Sequence, residues 1–189
     1  MRTSGLLSDS TGIIQRVKTV LVGERPLELE AYLERRHALG QDRFDEIWEG
    51  TYHVAPMAHP WRGYVDSQIG ELLAPYARAA HLFGTSAFNI GQPDDFRVPD
   101  RGYHRSLPSQ VYVPSAAVVV EVASPGDETW ETFDFYARCG VDEICTAEPF
   151  DQRLRWWILV GPTYEETDFS SLLGIRVDEL AAQIEWPRA

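Results

Sequence analysis

Ala116-Ala-Val-Val-Val-Glu-Val-Ala123 decides the fold. Its apolar residues fall on both odd and even positions, so a strand built from it is nonpolar on both faces. Such a strand belongs in the middle of a sheet with helices on either side. Glu121 interrupts the run. An ionised carboxylate in a strand buried on both faces is costly unless a cation, a metal or hydrogen-bond donors compensate it, so Glu121 demands a partner.

Downstream, Ser124-Pro125-Gly126-Asp127 turns the chain, with Asp127 placed to cap a helix reaching Cys139 and Gly140 placed to stop it. Residues 142–147 and 153–160 read as two more strands joined by Pro149-Phe150-Asp151, and 177–184 as a short final helix. Upstream, 82–90 and 96–98 read as strands around the polar turn 91–95, with Asp100 at the end of the Phe-Arg-Val-Pro-Asp strand. A helix over 61–80 carries the stripe Tyr64, Val65, Ile69, Leu72, Leu73 and Tyr76, and Pro75 should kink or shorten it. Residues 43–55 alternate around Gly50 like two strands meeting at a turn. The run from Pro26 to Gly40 suits an amphipathic helix covering one face of the sheet, while 13–22 suits strand or helix equally and 1–12 reads as a loose terminus. The expectation is an N-terminal extension, 1–23, and one mixed α/β domain, 24–189, with a central sheet flanked by helices.

Composition narrows the function classes. The chain has 189 residues, 44% of them hydrophobic, enough for one core without disulfides. No stretch has the length or apolarity of a membrane span and no apolar signal segment follows Met1, so a cytoplasmic location is expected. Lys plus Arg total 17 against 29 acids, and the net charge of −12 opposes nonspecific attraction to a phosphate backbone. Lys18 is the only lysine. Cys139 and Cys145 lack a C-x-x-C spacing and read as reduced core thiols; thiol catalysis is the least supported enzyme reading.

Asp100 and Glu121 are the acids whose strands bring them toward one spot, a natural oxygen site for Mg²⁺. The alternative at this level is a structural salt bridge from Glu121 to an arginine such as Arg97 or Arg138. Arg97, Arg101 and Arg105 bracket Asp100 at intervals of four and suggest either a phosphate clamp or separate surface arginines, the latter favoured by Pro99 and Gly102. His53, His59 and His104 match no short metal-ligand motif, and Trp130, Trp156 and Trp157 alternate with aliphatics in the manner of core packing rather than base stacking.

The order RFDEIWEG (43–50), HVAPMAHP (53–60), a helix, FRVPD (96–100) and VVVEVASPGDETWETFDFYARCGVDEI (118–144) resembles the Uma-two family of restriction endonuclease-like proteins, within the PD-(D/E)XK nuclease superfamily. The resemblance spans roughly residues 24–187. It implies a restriction endonuclease-like fold, a phosphodiesterase site using Mg²⁺ or Mn²⁺, and DNA as substrate. By the same resemblance Asp100 and Glu121 are the metal-binding pair, with Glu46 as a third acid and Glu49 a less secure match beside it. It also locates a departure: the catalytic lysine is absent from both slots, which hold Ala123 and Thr132. Thr132 brings a hydroxyl without a charge. Two functions follow, a metal-dependent endonuclease weakened by that loss, or a degenerate nuclease fold kept as a homodimeric interaction protein.

Overall fold

The computed structural model describes residues 19–21, 27–55, 59–124 and 129–188. The readings of 1–18, of Pro26 and of the Asp127 cap lie outside the described residues. Strand β1 (Thr19–Leu21) and helix α1 (Leu27–Ala38) come first. Gly40, at φ 62°, ends the helix as expected. Only Leu33 of α1 is buried, so the helix does not cover the sheet. It is instead tied down by Arg36, which pairs with the buried Asp45 at 2.9 Å.

Strands β2 (Glu46–Trp48) and β3 (Thr51–Val54) form the hairpin read from the sequence, turning on Glu49 and Gly50, both at positive φ. Helix α2 (Pro60–Ala79) buries Val65, Ile69, Leu73 and Ala77 but leaves Tyr64 exposed. Pro75 does not break it. The proline and Glu71, whose carbonyl loses its helical donor, are both exposed residues, on the solvent side of the helix.

The run 82–90 is two strands rather than one. β4 (Phe83–Ser86) and β5 (Asn89–Gln92) enter different sheets, and β6 (Asp95–Arg97), β7 (Arg101–His104) and β8 (Tyr112–Val113) follow. The central run is β9 (Val118–Val122), every residue of which is buried. After a short 3₁₀ turn (Thr129–Thr132) come α3 (Phe133–Arg138), β10 (Glu143–Glu148), β11 (Arg153–Val160) and β12 (Thr163–Thr167). A small hairpin, β13 (Phe169–Ser170) with β14 (Ile175–Arg176), precedes α4 (Val177–Ala181).

Among the described residues the main sheet runs β12-β11-β10-β9-β7-β4, and a second sheet runs β1-β3-β2-β6-β5-β8. The mixed α/β class is as read, with a second sheet that the sequence did not disclose. In the main sheet β9 lies parallel to β10 and antiparallel to β7. One of its faces packs Val118, Val120 and Val122 against α2 and the C-terminal Leu173, Ile175 and Leu180. The other packs Val119 and Ile144 against Phe135 and Tyr136 of α3. The connection from β9 to parallel β10 therefore carries α3 across the face on which Glu121 stands.

A second buried acid braces this sheet. Glu143, at the start of β10, accepts from Trp156 Nε1 (2.8 Å), Ser170 Oγ (2.5 Å), Ser171 Oγ (2.8 Å) and the backbone N–H groups of Ser171 and Leu172 (both 3.1 Å). Five donors spread its charge without a metal or a basic residue. Trp156 is thereby a core residue, as read, and Cys145 is a fully buried free thiol; Cys139 is only half-buried. Trp130 departs from the packing expectation, being 41% exposed beneath the Arg155 guanidinium.

Candidate active site between β7 and β9

Arg101 pairs with Val120 across the β7/β9 ladder, which sets Asp100 opposite Glu121. Asp100 does not end a strand, as its FRVPD context suggests; β6 stops at Arg97 and Asp100 stands just before β7. Its Oδ2 accepts the Val122 N–H at 2.8 Å, capping the end of the ladder. The cation between the two acids is neither Arg97 nor Arg138 but Arg62, from the first turn of α2. Its Nε donates to both Asp100 oxygens (2.8 and 3.0 Å), and its Nη2 lies 3.8 Å from Glu121 Oε2.

The other Glu121 oxygen accepts the hydroxyl of Tyr136, a fully buried side chain on α3. A buried tyrosine needs a partner for its hydroxyl, and Glu121 supplies it. Thr132, also buried, lies one turn before Tyr136 and eases the rise of that hydroxyl's pKa, which burial and Glu121 push up. Its own proton goes to the Thr129 carbonyl at 2.7 Å.

Burial pushes the Glu121 carboxyl well above its ordinary range, and the nearby Asp100 charge adds to the rise while Arg62 opposes it. Asp100 is also raised by burial, against the pull of Arg62. Glu46 is near enough to push both Glu121 and Tyr136 upward. Its oxygens, however, accept the Val98 N–H (2.8 Å) and Trp48 Nε1 (2.6 Å), which ties β2 to the chain leaving β6. Glu49 points outward and faces Arg138 at 3.7 Å.

The three arginines around Asp100 form no clamp. Arg97 pairs with Asp95 (3.0 Å) and is sandwiched between the Trp48 and Phe135 rings; Arg101 pairs with Asp66 (2.9 Å) and Arg105 with Asp142 (2.7 Å). The histidines are equally dispersed. His53 stacks on Trp48, His59 caps α2 by accepting the Trp61 N–H, and His104 contacts Thr85.

Among the described residues no trio of His, Cys, Asp or Glu converges as a metal-ligand set. The pair Asp100 and Glu121 nevertheless fits Mg²⁺, which takes oxygen ligands and is commonly held by one or two carboxylates plus water and phosphate. Their carboxylates share one cation already. Glu46 is close enough to raise Glu121, and each of its oxygens, like those of Asp100, already accepts a hydrogen bond.

Sequence reasoning missed Arg62 and Tyr136. Arg62 carried a signal: it sits in the first turn of a helix with no acid in that turn, where the helix dipole disfavours a cation. A partner elsewhere was implied.

No curated protein matches the chain in sequence. Among solved structures, one described as "a putative nuclease belonging to DUF820" from Anabaena variabilis is similar in fold, with a TM-score of 0.60 and 13% identity over 74% of this chain and 90% of that one. Residues 29–187, which include Glu46, Arg62, Asp100, Glu121, Thr132 and Tyr136, match the family described as "Putative restriction endonuclease", and the chain belongs to that family, Uma2.

Proposed function

We propose that the protein is a Mg²⁺- or Mn²⁺-dependent phosphodiesterase acting on DNA, weakened by the missing lysine. The observation that carries this reading is the meeting of Asp100 and Glu121 across β7 and β9 around a single cation. Asp100 and Glu121 would hold the ion. A bound divalent ion supplies polarisation of a phosphate and a bound water of lowered pKa. Tyr136 fixes the rotamer of Glu121, and the Val122 N–H fixes that of Asp100, so both ligands are held in place before anything binds. Glu46 would stand as the third acid beside the pair, and Thr132, one turn before Tyr136, occupies the slot of the missing lysine. Membership of a family described as restriction endonucleases and the fold of a nuclease support the reaction class.

The test is cleavage of supercoiled plasmid and labelled oligonucleotides in Mg²⁺ or Mn²⁺. Slow, EDTA-sensitive cleavage is expected from the wild type, with a loss of about a hundredfold or more in Asp100→Asn and Glu121→Gln, as when a metal ligand or charge-stabilising group is removed. Cleavage that survives both substitutions would sink the proposal.

A second reading, a nuclease fold kept as a noncatalytic homodimer, is favoured by one observation: Arg62 already neutralises the acid pair. It expects no metal-dependent cleavage and a dimer by sedimentation. A monomer at all concentrations would remove it.

A further inference from the structure

Arg62 stands between Asp100 and Glu121. It is well bonded to Asp100, yet its contact with Glu121 is 3.8 Å, longer than a hydrogen bond. Its side chain is 25% exposed, so it has a way out to solvent, whereas that of Glu121 is only 7% exposed. Its place in the first turn of α2 sets the helix dipole against it. The site therefore contains a cation that satisfies one acid fully and the other poorly.

Resting on the metal-site reading above, we propose that Arg62 and a divalent cation are alternative occupants of one position: Arg62 closes the site in the metal-free protein and yields its place when the metal binds. Two consequences follow. Metal affinity in the free protein is weak, because the arginine's bonds to Asp100 must break first. The released guanidinium then supplies beside the site a positive charge that Ala123 and Thr132 cannot provide, and a phosphodiester is a fitting new partner for it.

The experiment is Mn²⁺ binding by electron paramagnetic resonance to the full chain, comparing wild type, Arg62→Gln and the double variant Arg62→Gln/Asp100→Asn. Arg62→Gln should bind Mn²⁺ about tenfold more tightly or better, a change of about 1.4 kcal/mol, and the double variant should lose the gain. Equal or weaker binding by Arg62→Gln overturns the proposal. Should that variant fail to fold, the wild type decides: the Arg62 Nε–H resonance, slow to exchange while bonded to Asp100, should shift and exchange faster as Mg²⁺ is added. A resonance indifferent to Mg²⁺ overturns the exchange of partners. The two proposals fail separately. Wild-type cleavage with unchanged metal affinity in Arg62→Gln removes the exchange and leaves the phosphodiesterase, while a gain in affinity without any cleavage does the reverse.

Discussion

Glu121 presents one oxygen to Tyr136 and the other toward Arg62, and both its burial and Asp100 oppose its charge. A carboxyl whose pKa is raised in the folded state holds its proton where the unfolded chain has released it. Stability from this group is complete below the unfolded value of about 4.5 and falls as pH rises through the window up to the raised value. Glu121→Gln, whose amide oxygen still accepts from Tyr136, should therefore melt at a higher temperature than the wild type at neutral pH. The gap should close as pH approaches 4.5, since each unit of elevation is worth about 1.4 kcal/mol. Melting curves across pH test this, and a gap that widens on acidification would show that Glu121 is stabilised as an anion. At this scale the sequence was legible where a residue broke its own pattern. Glu121 stood out as a charge in an apolar strand, but its cation lies on another element, and Arg62 reaches an aspartate 38 residues away that local periodicity cannot connect to it.

Elements were legible where the apolar pattern was strong: the α2 stripe runs on past Pro75, and β9 is apolar on both faces. The run 82–90 was not, because a period of two says which residues share a face and nothing about which sheet the strand joins. β12, with its Thr-Tyr-Glu-Glu-Thr sequence, borders the main sheet with three of its five residues exposed and offers too little apolar contrast to be seen. Gly91, within β5, marks where the second sheet comes close to α3. Gly91 has φ 120°, and a Cβ there would lie 2.3 Å from the Asp95 carbonyl oxygen and 2.7 Å from the Phe135 ring. Gly91→Ala should cost about 2 kcal/mol or more, from backbone strain with the clash added, read as a lower denaturation midpoint at unchanged slope. Phe135 also stacks on Arg97, so the same substitution should disturb that contact as well.

Across the whole molecule, the net charge of −12 sets the terms on which DNA can be bound. Arg36, Arg97, Arg101 and Arg105 are each committed to an acid. On the proposal that a divalent ion displaces Arg62, a labelled duplex should show no measurable binding in EDTA even at low salt, and binding should appear with Ca²⁺, when the freed guanidinium can meet a phosphate. Strong binding in EDTA that weakens steeply with salt would reveal a basic surface these ion pairs do not supply.

Glu143 carries one more implication, for how far the chain can be trimmed. Its five donors include Ser170, Ser171 and Leu172, so the segment after β12 fastens onto β10, the strand beside the one that bears Glu121. Cutting the chain at residue 168 would leave a buried carboxylate with Trp156 alone, at a cost of about 3 kcal/mol or more for the stranded charge. A shortened protein ending there should be degraded during expression, whereas one ending at residue 187 should accumulate. The smallest fragment able to assemble the acid pair thus runs well past the last residue of that pair.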